Sequence, residues 1–229
     1  MIKSTGDTLY WASGVKVKTH PALGMSWFLV SLMTAGGIVD FVNGKLQDSF
    51  ARLLVFTGLP FLGFILGADK RWLPLNLDVT FICAGFIYMG MLLRQYSEYL
   101  QKYKVPVFLE SCALWVYWLS QGIYIELASR HYPGWSLSYI EAVLSTIVIC
   151  FVAQALEANE SCCKIFSGLG KHTMMIFTVH ALDFMWVPMI ASKSWMLFSA
   201  KRLIVDLVIA GFTGLFLQMF KKLHTGVRK

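Results

Sequence analysis

Seven apolar runs of 15 to 21 residues fill more than half of this chain: Leu23–Val42, Leu53–Gly67, Leu77–Leu93, Val105–Ile125, Leu137–Leu156, Thr173–Ala191 and Leu203–Phe220. A helix of such length crosses the roughly 30 Å of hydrocarbon in a bilayer. Lipid offers no water to backbone N–H and C=O groups, so each run must satisfy them internally as a helix. The expected fold is therefore all-α, a polytopic membrane helix bundle of about seven transmembrane helices. A single membrane domain, 1–229, is expected: a tail or loop over 1–22, the bundle over 23–220 and a basic cytoplasmic tail over 221–229. The links are short, and neither a linker tract nor a repeat of 20–50 residues interrupts them.

Composition agrees where it matters. Of the 229 residues 57% are hydrophobic and 14% charged, against about a quarter charged in soluble domains. The net charge of +7 does not read as nucleic-acid binding, because the twenty Lys and Arg sit in small groups between apolar runs. Basic residues there anchor helix ends at lipid headgroups. Five cysteines without a CxxC give neither a disulfide framework nor zinc spacing. Cys83, Cys112 and Cys150 read as packing residues, and Cys162–Cys163 as loop residues. No metal site is expected.

Seven spans put eleven Lys and Arg on the side of the C-terminus and nine on the other, which predicts a cytoplasmic C-terminus. The tail 1–20 has no apolar h-region, so no signal peptide is expected. Trp11, Trp72, Trp135 and Trp195 all fall on the outer side. A belt would decorate both faces, so the one-sided set is also a candidate platform for sugar rings.

Ionisable residues near or inside the spans are the candidates for chemistry, since charge facing lipid is costly. Asp78, Glu126, Glu141 and Asp206 lie near outer ends, with Asp78 read as an acid capping the third span. His180 lies about 12 Å into the sixth span, and Asp183, three residues on, shares its face. A carboxylate beside an imidazole fixes its tautomer and raises its basicity, as a general base requires. Gly63 and Gly67 make a small-xxx-small helix-packing pattern. The stretch SGLGKHT fails as a phosphate loop: Ile165 stands at the first glycine and His172 at the Ser/Thr.

The stretches SWFLVSL (Ser26–Leu32), LPFLGFILG (Leu59–Gly67), LPLNLDVTFICAGFIYMGMLLR (Leu73–Arg94) and LGKHTMMIFTVH (Leu169–His180), in this order and spacing, resemble the membrane-bound acyltransferase 3 family of sugar O-acetylases, fucose 4-O-acetylase-like enzymes and succinoglycan-modifying enzymes. The family's tryptophan motif often reads His-Leu-Trp-Phe-Leu, whereas Met25 and Ser26 precede Trp27 here. The resemblance implies about ten spans, so three N-terminal spans, with the family's essential His and Arg, are expected to be missing from this chain. It carries over His180 and Asp78, which stand at matching motif positions. It also implies transfer of an acyl group, typically acetyl, from acyl-CoA to a hydroxyl of a carbohydrate or lipid-linked glycan. On that reading His180 and Asp183 are catalytic, and Asp78, Trp27, Trp72 and Glu141 meet the glycan acceptor. Arg94, with Lys102 and Lys104, would face the phosphates of acyl-CoA. The expected partners are the lipid bilayer, the acyl-CoA and the glycan. The rival expectations are a catalytically incomplete fragment or partner subunit, and a lipid-linked sugar transporter, whose broken helices and internal repeats are not evident.

Overall fold

The computed structural model describes residues 27–68, 73–173, 177, 197, 200–201, 203–205, 207–209 and 211. Two compact units divide the chain, the first ending at Leu156 and the second starting at Glu157. Among the described residues the fold is helical: α1 (Trp27–Lys45), α2 (Ser49–Ala68), a 3-10 turn (Pro74–Asn76), α3 (Leu77–Gln95), α4 (Ser97–Lys102), α5 (Lys104–Ser120), α6 (Ser136–Glu157) and α7 (Glu160–Lys171). Among the described residues four helical stretches are long and apolar enough to cross a membrane: Trp27–Lys45, Ser49–Gly67, Pro74–Gln95 and Ser136–Glu157. They match four of the seven expected spans. The expected sixth and seventh spans lie largely outside the described residues.

The expected fourth span is shorter than its apolar run. α5 has 17 residues and ends at Ser120 rather than Ile125. Gly122, at φ +73°, turns the chain out of the helix in the left-handed conformation that only glycine adopts without strain. The chain then forms a loop closed by paired backbone hydrogen bonds between Glu126 and His131, at 2.9 and 3.0 Å. The Cys162–Cys163 pair also differs from expectation. It lies on α7, because Asn159 Oδ1 accepts from the Ser161 and Cys162 amides and caps a helix there.

α3 is the hub of the first unit. Half of its apolar stretch is buried, against 17–28% in the other three spans. α1 offers it one stripe, Trp27, Ser31, Ala35 and Val39, at intervals of four residues. α2 approaches closely through small residues. A Cβ on Gly63 would fall 2.5 Å from the Asp78 carbonyl oxygen, and one on Gly85 would fall 2.3 Å from Pro60 Cγ. Phe56 of α2 stacks on Tyr88 of α3, with ring centroids 4.4 Å apart. The outward surfaces stay apolar, as Met33, Phe41, Phe50, Leu54 and Ile149 are exposed. Apolar patches on that scale belong against lipid.

Candidate functional site

The beginning of α3 holds a buried ionic cluster. Asp78 is fully buried in the first turn of the helix. It does not cap that helix: the N-cap is Asn76, whose side chain makes no cap bond. Arg130, from the loop after α5, instead donates Nε to Asp78 Oδ2 at 2.9 Å and Nη2 to Asp78 Oδ1 at 3.3 Å. Its Nη2 also donates to Asn76 Oδ1 at 2.6 Å, and its Nη1 to the Ala128 carbonyl at 3.3 Å. A guanidinium fork matches a carboxylate in this two-pronged way.

The backbone around the pair is unusual. The non-glycine residues with positive φ among the described residues are Leu75, Asn76, Arg130 and Trp135. Two stand three and two residues before Asp78, one is its partner, and the fourth closes the same loop. Such conformations are held only where surrounding contacts over-determine them, and they gather at functional or switching sites. The supporting contacts are visible. Tyr132 packs edge-on against Phe64 with centroids 5.2 Å apart, and its ring fills the space a Cβ on Gly67 would take. The Gly134 amide donates to the buried Ser138 hydroxyl at 3.1 Å, tying the loop to α6.

The hydroxyls of Tyr132, Thr80 and Ser31 are buried without a hydrogen-bond partner. Burial pushes the Tyr132 phenol well above its ordinary range, against the opposing pull of Arg130. It therefore stays protonated and can donate. Glu141, on α6, is buried as well, with the Trp115 indole of α5 as donor.

About 24 Å away along α3, at 1.5 Å per residue, Arg94 lines a different feature. A groove of about 320 Å³ runs between α3, α4 and α6, with Leu93, Leu100, Ile147 and Phe151 in its walls and Arg94 and Ser97 among its few polar groups. It shares Gly90, Leu93 and Thr146 with a second space of about 420 Å³ that continues to Phe86 and Ile125. α6 is pinned at both ends of this cleft. Gln101 Nε2 donates to Gln154 Oε1 at 2.6 Å, and Phe86 stacks on Tyr139 at 4.4 Å. Lys104 lies 5.8 Å over the ring of Phe151, so a second cation stands beside the groove. On the other side of the same end of α3, Arg52, Gln95 and Tyr96 line a third cavity of about 380 Å³.

The expected site residues are thus distributed. Asp78 sits in the ionic cluster, Arg94 in the groove and Glu141 in its own contact with Trp115. Trp27 is buried at 9% exposure in the apolar core with Val79 and Cys83, without an open ring face. His180, Asp183 and Trp72 lie outside the described residues. Sequence reasoning misses Arg130. A signal exists for it, since no other Lys or Arg stands between Lys104 and Lys164. Among the described residues no group of His, Cys, Asp and Glu is arranged to hold a metal ion. Compared with protein-family models, curated proteins and solved structures, the chain matches none.

Proposed function

We propose that this chain is the bundle of an integral-membrane O-acyltransferase that moves an acyl group, acetyl by resemblance, from acyl-CoA to a hydroxyl of a carbohydrate or lipid-linked glycan. The observation that carries the reading is the apolar groove with Arg94 in its wall and Lys104 beside it. An acyl chain needs an apolar slot, and the phosphates of its CoA carrier need cations at the mouth. The four sequence stretches that resemble the acyltransferase 3 family supply the reaction class.

In this reading the Arg130–Asp78–Asn76 cluster, at the opposite end of α3, holds the loop where the Tyr132 phenol remains a donor for acceptor hydroxyls that do not react. By the resemblance, His180, with Asp183 three residues on in the sequence, is the base that takes the proton of the reacting sugar hydroxyl. The hydroxyl oxygen attacks the thioester carbonyl, the C–S bond breaks, and CoA leaves as the thiolate. The proton on His180 then neutralises that leaving group.

The test is binding, separate from turnover. The full chain in nanodiscs is crosslinked with a photoreactive acyl-CoA, and the labelled peptides are mapped. Labelling within Gly90–Gln101 and Thr146–Gln154, competed by acetyl-CoA, is the expected result. Gly90→Leu adds a side chain where nothing lies within 4 Å, and should abolish labelling. Arg94→Gln removes a solvent-exposed cation and should weaken binding about three- to tenfold. Labelling elsewhere, or none that acetyl-CoA displaces, overturns the reading.

A further inference from the structure

α7 is a twelve-residue helix, Glu160–Lys171, with no buried residue. At 100° per residue Cys162, Ile165, Phe166 and Leu169 fall on one face, at the i, i+3, i+4, i+7 spacing of an apolar stripe. Ile165, Phe166 and Leu169 are 62%, 56% and 39% exposed. Glu160, Lys164, Ser167 and Lys171 occupy the opposite face, where Lys164 Nζ lies 3.7 Å from Glu160. A helix this short, with no buried residue, is marginal in water. Some medium must cover the apolar stripe.

We infer that α7 lies in the plane of the membrane interface, with Cys162, Ile165, Phe166 and Leu169 in the acyl boundary and Lys164 and Lys171 among anionic headgroups. Two observations fix on lipid rather than on a protein. Glu157 ends a helix long and apolar enough to cross the bilayer, and only Ala158 and Asn159 separate it from Glu160. Three Cα steps reach at most about 11 Å, so α7 begins within the headgroup layer that borders the hydrocarbon. The polar face also has two lysines to one glutamate, a cationic balance suited to anionic lipid. The Asn159 cap, with Oδ1 taking the Ser161 and Cys162 amides at 3.0 and 3.1 Å, sets a fresh helix start where the span ends. A capped restart permits a change of direction that a continuous helix would not.

The native cysteines make the first test. The full chain is reconstituted in vesicles of phosphatidylcholine and phosphatidylglycerol, and Cys162 is read by peptide mass spectrometry. A charged, membrane-impermeant maleimide should modify it about tenfold more slowly than a lipid-soluble one. Equal rates overturn the inference. The second test places nitroxide labels singly at Lys164, Ile165, Phe166, Ser167 and Leu169 in a chain whose cysteines are otherwise serine. Oxygen accessibility should peak at 165, 166 and 169, and aqueous nickel accessibility at 164 and 167. Uniform aqueous exposure overturns the proposal, and so does shielding of the apolar positions from both reagents, which would mean a protein covers the stripe.

Discussion

Replacing Arg130 by alanine leaves the Asp78 carboxylate fully buried with its cation gone, and Asn76 Oδ1 without that donor. Removing one partner of a buried ion pair costs about 3–5 kcal/mol, and the lost bond to Asn76 adds about 1 kcal/mol. A third contribution is specific to this position. Arg130 has φ 57°, where a non-glycine residue is strained by about 1–2 kcal/mol. Alanine keeps that strain while removing the contacts that hold it, whereas glycine relieves it. Arg130→Ala should therefore lower stability by about 4–6 kcal/mol, and Arg130→Gly by about 1 kcal/mol less. Against the total of about 5–15 kcal/mol typical of folded proteins, the first variant approaches loss of the native bundle.

The partner mutation separates the pair from its surroundings. Asp78→Asn combined with Arg130→Met leaves neither charge uncompensated, so the double variant should cost less than the sum of the single changes. A coupling of at least about 2 kcal/mol is expected from contacting buried charges. Equilibrium unfolding of the purified chain in mixed micelles, followed by tryptophan fluorescence, measures all the variants on one scale. Limited proteolysis at Gln121–Trp135 reports whether the loop is released first. The reasoning fails if Arg130→Ala stays within about 1 kcal/mol of the parent, or if the single costs simply add.

Gly63→Ala and Gly85→Ala should each cost about 1–3 kcal/mol, because their Cβ atoms would press on the Asp78 carbonyl and the stiff Pro60 ring; helix-separation measurements on the same variants should show α2 and α3 moving apart. Gly37→Ala is the contrast, as nothing lies within 4 Å of its Cβ, and it should be neutral or stabilising by up to about 1 kcal/mol. The Tyr132 phenol is raised in the folded chain, so its stabilising effect is fully present below the unfolded tyrosine value of about 10 and is lost as pH climbs above it. Melting temperatures between pH 8 and 11 should fall less steeply for Tyr132→Phe than for the parent.

Much of the bundle is legible because lipid imposes length and hydropathy on a sequence directly. Gly63 is legible for the same reason, since only small residues let helices approach, whereas Gly67, four residues on, leaves room for the Tyr132 ring of the loop after α5 rather than for a helix. The end of α5 is not, because Ile123, Tyr124 and Ile125 extend the apolar run while Gly122 alone sets the turn. α7 reads as loop because its apolar residues are only Ile165, Phe166, Leu169 and two cysteines and Leu169 stands between two glycines, although Asn159 is there to cap it. Asp78 stands out as the only acid between Asp69 and Glu98, but its partner lies 52 residues away. No local pattern joins them. The same distance hides the groove, whose walls come from Gly90–Gln101 and Thr146–Gln154.

The two ends of α3 differ for a physical reason. Within lipid, apolar side chains gain nothing by leaving the tails for one another, so helices are held by close backbone approach and by polar contacts. α2 and α3 have the first, through Gly63 and Gly85, while the cluster around Asp78 ties the start of α3 to the loop after α5. α6 lacks a comparable glycine seam. It is joined to α3 and α4 by the Tyr139–Phe86 stack at one end and the Gln154–Gln101 bond at the other. Between those two pins the backbones are free to stay apart, and the cleft beside Gly90 and Thr146 is the consequence. A tight seam at one face and a pinned, open one at the other let a single helix anchor the bundle and still border a binding groove. Weakening the Gln101–Gln154 pin should therefore widen the groove without melting the α2–α3 contact, whereas Arg130→Ala should loosen the opposite end first.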